Sequence, residues 1–387
     1  MQSISTLSGP GWPTAARQTG SANPCKLTAV LSLLLLTSTA GIAQLSNNNV
    51  NNRNNPNNAF LPGPVRDVST VPGNGDVNPY GVAFIPDNFQ AGSGPLQRGD
   101  ILVSNFNNKA NLQGLGTTIV RISSKGARSL FFQGTAPLGL TTALGVLQSG
   151  LIVVGNFPST DGTLGTATPG SLLVINNQGQ LIQTITSPAI QGPWDMALVD
   201  HGSQATAFIT NALTGTVTRL EFTVNATGLT LQDSKTIASG YVHRADPVTF
   251  VVSPTGLVFD ESKDLLFVAS TGDNEVFAIS NASNLSAAAG MGRLVYQDNV
   301  HLHGALAMAA APNGNLLVSN NDGINPDPNQ PSEIVEFTTE GQFVKQLSVD
   351  PALGGSFGLA VQNSGDVSTF AAVDDNTATL LIFLLEK

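Results

Sequence analysis

The sequence predicts an all-β fold: a six-bladed β-propeller of four-stranded blades, its ring closed by an N-terminal strand that joins the last blade. Three observations predict it. A short turn recurs six times, as Pro79-Tyr80-Gly81, Pro137-Leu138-Gly139, Pro193-Trp194-Asp195, Pro254-Thr255-Gly256, Leu302-His303-Gly304 and Ser356-Phe357-Gly358. Its spacing, roughly 48 to 61 residues, is that of propellers and solenoids. Each turn leads into a near-continuous apolar run and then an alternating one, and no long helical period competes with them.

The elements follow in order. Arg17 and Lys26 precede an apolar run from Leu27 to Leu36, and small residues lead to Gly41-Ile42-Ala43. This is the pattern of an export signal cleaved after Ala43, and the run is shorter than the ~20 residues of a membrane span. Residues 1–43 are expected to be a signal peptide. Residues 44–62 are Asn-rich, with Asn47-Asn48-Asn49 and Asn51-Asn52-Arg53-Asn54-Asn55. They offer too little apolar surface to order themselves and are expected to be a disordered spacer. Residues 63–387 form the propeller. Length alone suggests two or three domains, but the repeat makes this stretch one.

Within each unit the first strand begins at the turn. The second reads Ile101-Leu102-Val103-Ser104-Asn105, Ile152-Val153-Val154-Gly155-Asn156, Ala207-Phe208-Ile209-Thr210-Asn211, Leu266-Phe267-Val268-Ala269-Ser270, Leu316-Leu317-Val318-Ser319-Asn320 and Phe370-Ala371-Ala372-Val373-Asp374. Such runs suit strands covered on both faces. The third strand alternates, as in Thr216-Val217-Thr218-Arg219-Leu220, which signals one wetter face farther from the axis. A fourth strand follows in the first five units. The sixth ends at Lys387 without one, and the segment 65–71, ahead of Tyr80, is the missing copy. Joining it to the last blade closes the ring and hides a free edge.

Composition bounds the partners. Beyond Ala43 the chain keeps 14 basic and 26 acidic residues, a net charge of −12. That argues against nucleic acid and anionic membrane surfaces. Cys25 is the only cysteine and leaves with the signal, so burial alone must stabilise the domain. The expected protein is a monomer, secreted to the extracellular space or a periplasm.

The Pro-x-Gly turns, the apolar second strand ending in Asn or Asp, and the unit Pro254-Thr255-Gly256-Leu257-Val258-Phe259-Asp260 followed by Leu265-Leu266-Phe267-Val268-Ala269 resemble the NHL-repeat six-bladed propellers over residues 64–387. The resemblance implies fold more than function, because this superfold hosts many unrelated activities. Gluconolactonase-type propellers place acidic and Asn metal ligands immediately before the repeat Gly. Here those positions hold Tyr80, Leu138, Trp194, Thr255, His303 and Phe357, which speaks against that chemistry. Amidating-lyase propellers use His at rim positions of three blades, and only His303 matches.

Topology locates the candidate site. The turns, the ends of the second strands and the inter-blade loops share one face. Tyr80, Leu138, Trp194, Thr255, His303 and Phe357 are expected to rim the channel there, with Asn105, Asn156, Asn211, Ser270, Asn320 and Asp374 beside them. An apolar ring with convergent polar groups is the usual form of a ligand site. The plainer reading is that the ring plugs the channel and the Asn residues cap strand ends. Three loops on this face, 106–116, 157–169 and 321–331, are long enough to be functional. Asp322 and Asp327 in the last have oxygen ligands at calcium-like spacing, without the closing Glu of a calcium loop. His243, His301 and His303 lie on the same face and define a three-His zinc expectation, with Arg244 to hold an anionic substrate. The bland alternative is three unrelated loop imidazoles. Asp195 is the one rim carboxylate, and as a general base it needs a raised pKa.

Three functions follow as expectations. The first is a binding module for a small molecule, a peptide or an exported protein. The second is a calcium- or zinc-assisted lyase or hydrolase at the channel, with Asp195 and His303 as its catalytic groups. The third is a structural protein of the cell envelope or matrix.

Overall fold

The computed structural model describes residues 59–61, 66–90, 92–365 and 367–386; the expected signal 1–43 and most of the spacer lie outside the described residues. A short strand β1 (Arg66–Ser69) comes first. Blade 1 is β2 (Val77–Phe84), β3 (Ile101–Asn107), β4 (Thr118–Ile122) and β5 (Arg128–Gln133). Blade 2 is β6 (Leu140–Val146), β7 (Ile152–Asn156), β8 (Ser171–Ile175) and β9 (Leu181–Ile185). Blade 3 is β10 (Pro193–Asp200), β11 (Gln204–Asn211), β12 (Thr216–Asn225) and β13 (Gly228–Ser239). A hairpin of β14 (Arg244–Asp246) and β15 (Phe250–Val252) leads to blade 4: β16 (Pro254–Asp260), β17 (Leu265–Ser270), β18 (Glu275–Ser280) and β19 (Arg293–Gln297). Blade 5 is β20 (Ala305–Ala310), β21 (Leu316–Asn320), β22 (Glu333–Phe337) and β23 (Phe343–Ser348). Blade 6 is β24 (Ser356–Ser364), β25 (Val367–Asp374) and β26 (Thr379–Glu386), with β1 as its outer strand.

All pairings are antiparallel, and β1 runs along β26 from Arg66↔Ile382 to Ser69↔Thr379. The innermost strands touch in a circuit, β2 to β6, β10, β16, β20, β24 and back to β2. Each gap between neighbouring blades holds its own hydrophobic core. Leu102 and Ile119 of blade 1 pack with Leu140 and Ile152 of blade 2, while Ile101 and Val103 of the same β3 pack with Ala371 and Val373 of blade 6. Successive side chains of a strand point to opposite faces, so a second strand must be apolar at every position to feed both gaps.

The repeat turn is a β-bulge. In blade 1, Pro79 pairs with Asn105 and Val82 with Val103, so the inner strand carries one residue more than its partner; blades 3, 4, 5 and 6 repeat this. Bulges re-aim side chains, here towards the axis. The pairing also corrects the repeat alignment at two units. Leu140 pairs with Asn156 and Ala305 with Asn320, so the positions equivalent to Tyr80 are Thr141 and Leu306, three residues beyond Leu138 and His303. A Gly one turn too early mimics the motif there. Blade 2 carries two extra residues between Leu140 and Leu144, which further blurs it.

Phe60 and Leu61, expected in the spacer, are buried against blades 5 and 6. Their backbone N–H groups donate to the buried Glu336 carboxylate, Phe60 at 2.7 Å and Leu61 at 3.1 Å. The boundary of the folded domain therefore lies ahead of Phe60. A buried carboxylate that accepts several donors holds such a segment firmly.

Candidate functional site

The axis carries two cavities separated by an aromatic plug. Tyr80, Phe106, Phe157, Trp194 and Phe250 form a buried cluster with Ala212 and Val251, and Phe357 packs beside them. Trp194 meets Tyr80 edge-on at 5.5 Å and stacks on Phe250 at 6.3 Å between ring centroids. Phe106 and Phe157 begin two of the long loops, and Phe250 comes from the β14–β15 hairpin with φ +68°. An aromatic residue in the left-handed region is disfavoured, and packing against three rings holds it there. Tyr80, Trp194 and Phe357 thus close the channel rather than line an open rim.

The Asn residues at the ends of the second strands are structural. Asn156 Oδ1 accepts from Gly139 N–H, Asn211 Oδ1 from Gln191 N–H and Asn320 Oδ1 from His303 N–H, each at 2.8–2.9 Å. Their amide nitrogens, with that of Asn105, donate to Thr118, Ser171, Thr218 and Glu333 on the third strands. Asp374 accepts from Asn376 N–H and the Thr377 hydroxyl, and Ser270 donates to Asp273. Thr255 is buried and its hydroxyl bonds to the Ala305 and Leu306 carbonyls of the next blade. These hydrogen bonds fasten the strands, while Asn105 Oδ1 is buried without a partner.

Below the plug lies a small cavity of about 80 Å³, lined by inner strands of all six blades. Asp195 faces it, accepting from Met196 N–H at 2.8 Å and Leu257 N–H at 3.1 Å. Burial pushes its carboxyl up to about 7, against those two bonds.

Above the plug, on the face bearing the loops, a cavity of about 200 Å³ is walled by Asn78, Asn107, Asn111, Gln113, Thr249, Asn321 and Asp375, with Tyr80 and Phe357 at its base. The β14–β15 hairpin leans across it, tied by Gln113 Nε2 to the Val248 carbonyl at 2.9 Å. Asn78 sits at φ +56°, a conformation that Asn tolerates better than most residues. Asn78 Oδ1, Asn107 Oδ1 and Thr249 Oγ1 are buried without a hydrogen-bond partner. Burial, then the charge of neighbouring Asp374, pushes the Asp375 carboxyl up to about 7. Burial and the nearby Asp375 and Asp195 charges also raise the Tyr80 hydroxyl.

The sequence reading missed Asn78, Asn107, Asp375 and the hairpin. Asn78 and Asn107 lie two residues from the selected Tyr80 and Asn105, and Asp375 adjoins Asp374. The one legible signal was the connection from Ser239 to Pro254, the longest between blades.

The three candidate zinc histidines are each engaged separately. His243 Nδ1 lies 3.1 Å from the Tyr241 carbonyl, and His301 bonds Asp298 and stacks on Phe343. His303 is buried, with Nδ1 on the Asn325 carbonyl and Nε2 on the Val300 carbonyl. Among the described residues no three His, Cys, Asp or Glu side chains are grouped to hold a metal ion. The calcium candidates are engaged within their loop: Asp322 Oδ2 accepts from Ser332 and Gly354 N–H, with Oδ1 unpartnered, and Asp327 accepts from Asn329 and Gln330. Arg244 is exposed and pairs with Asp246 at 3.0 Å. His201 Nε2 lies 3.8 Å from Glu261 Oε1.

No family model and no curated protein matches this chain. Solved structures do. A chain of the mitotic checkpoint complex superposes with TM-score 0.51 at 10% identity, over 85% of this chain and 97% of that one. A "putative gluconolactonase" gives TM-score 0.47 at 12% identity, covering 83% and 98%. A "putative oxidoreductase (glucose dehydrogenase)" from Thermus thermophilus gives 0.47 at 13%, covering 83% and 99%. At such identities the likeness is one of fold. The six four-stranded blades described above make this chain a six-bladed β-propeller. Among the described residues no helix is long and apolar enough to cross a membrane.

Proposed function

We propose that this chain is an exported, monomeric binding module that takes a small organic ligand, or the end group of a larger one, in the cavity on its loop-bearing face. The observation that carries this reading is the set of buried polar atoms without partners around that cavity: Asn78 Oδ1, Asn107 Oδ1 and Thr249 Oγ1. Native proteins pair nearly all buried polar groups, so unpaired ones in the walls of a concavity are groups that a ligand can satisfy once a side chain turns towards it. About 200 Å³ lies below the range of drug-sized pockets and suits a ligand of few heavy atoms or the end of one side chain. A hydrolase or lyase at Asp195 is disfavoured by size, since the cavity there holds only about 80 Å³.

The test is a binding screen of small polar ligands and peptides by calorimetry, repeated with Asn107→Ala and Phe357→Ala. A saturable ligand that both variants weaken supports the reading. Turnover of an ester, lactone or amide that Asp195→Asn abolishes would sink it and restore the enzyme.

A further inference from the structure

The geometry points to a primary ammonium group as what the loop-face cavity recognises. This rests on the cavity being the ligand site and adds the ligand's chemistry. The walls supply acceptors and no cation. Asn107 Nδ2 is committed to Asn111 Oδ1 at 2.7 Å, which leaves Asn107 Oδ1 an acceptor, and that atom is buried without a donor. Asn78 is 7% exposed, and its Oδ1 also lacks a donor. The Asp375 carboxylate faces the same space; no side chain or backbone group among the described residues bonds or pairs with it, and the adjoining Asp374 adds negative charge. No Lys, Arg or His lines the cavity.

The Asp375 carboxylate at the cavity, with the unpartnered Asn78 and Asn107 amide oxygens buried in the wall beside it, matches the N–H donors of an alkylammonium. An anion would meet the Asp375 charge with no cation in the lining to offset it. Tyr80 and Phe357, with ring centroids 5.0 Å apart, lie at the base, where an aromatic face attracts a cation and covers the adjoining methylenes. A neutral alcohol would satisfy the amide oxygens and leave the carboxylate without a counter-charge. The ligand class is therefore a small primary amine or a lysine-like side chain.

The test uses the full chain at about pH 8, with n-butylammonium, its uncharged isostere 1-butanol and calcium chloride as separate probes in titration calorimetry. Binding of n-butylammonium at least tenfold tighter than 1-butanol, weakened at least tenfold by Asp375→Asn, is the expected result. Asn78→Gly keeps the positive φ while removing the carboxamide, and should weaken it several-fold. Thermal unfolding of both variants checks that they fold. Equal binding of the alcohol, or indifference to Asp375→Asn, overturns the ammonium assignment while leaving the cavity as a binding site. Calcium binding that Asp375→Asn removes overturns it in favour of a metal. Absence of binding by all three probes also overturns it, and the broader screen then decides whether the cavity binds anything.

Discussion

Asp375 shows how one carboxylate can be read physically. Its neighbours give it no hydrogen bond, and burial raises its pKa to about 7 from 3.8. Between about pH 4 and 7 the folded state therefore holds a proton that the unfolded state has released. Stability from this group is full below pH 4, falls as pH rises through that window, and levels off above 7. Asp195 and Glu333, both raised to about 7 by burial, act in the same direction. Asp375→Asn removes the charge and loses no partner. It should raise stability at pH 8 by on the order of 1 kcal/mol and flatten the decline in Tm between pH 5 and 8. A melting series across that range checks it, and an unchanged slope would show that Asp375 ionises freely.

At the scale of elements, the inner strands are joined by an alternating belt of hydroxyls. Ser104 Oγ accepts from Gly81 N–H and donates to the Thr141 carbonyl of the next blade; Thr210 does the same between Asp195 and Thr255. Blades 2 and 4 have Gly155 and Ala269 at the equivalent position, and there the inner strand supplies the hydroxyls. Thr141 and Thr142 bond to the Pro193 and Trp194 carbonyls, and Thr255 to that of Leu306. Ser104→Ala would leave a buried N–H and a buried carbonyl without this partner, a loss of about 1–3 kcal/mol by denaturant unfolding. The repeat Gly exists for the same close approach. A Cβ at Gly256 would lie 2.4 Å from the Leu306 oxygen, whereas one at Gly73 meets nothing within 4 Å. Gly256→Ala should destabilise by about 2 kcal/mol or more through overpacking, and Gly73→Ala by less than about 0.5 kcal/mol.

At the scale of the whole molecule, β1 and the Phe60–Leu61 strap bring the chain's early residues onto blades 5 and 6. Removing residues 1–71 exposes the β26 edge and leaves Glu336 buried without the two backbone donors that Phe60 and Leu61 supply. The expected outcome is a Tm lower by roughly 10 °C, since several kcal/mol are lost at about 2–4 °C each. An unchanged Tm would mean that the last blade stands with three strands. The plug predicts a spectroscopic signature. In a Trp12→Phe chain, Trp194 is the sole tryptophan, 2% exposed among five other aromatic rings. Its emission should be blue-shifted and shielded from iodide, and a red-shifted, quenchable signal would mean an open channel.

The sequence by itself determined the blade count, the four strands of each blade and the segment that joins the last one. These follow from periodicity, and periodicity survives because every second strand, such as Ile101–Asn107, must feed two cores at once. It also offered the plug as the plainer fate of Tyr80, Trp194 and Phe357. Tertiary structure decided the site. A bulge in each inner strand sets which residue reaches the axis, and a turn Gly one step early hid Thr141 and Leu306 behind Leu138 and His303. Asp374 and Asp375 are equivalent as letters, yet one caps a turn through Asn376 and Thr377 while the other faces the cavity. Asn78, Asn107 and Asp375 come from segments up to about 300 residues apart in sequence, and only ring closure brings blades 1 and 6 together. A local pattern cannot encode which polar atom ends without a partner, because that depends on everything packed around it.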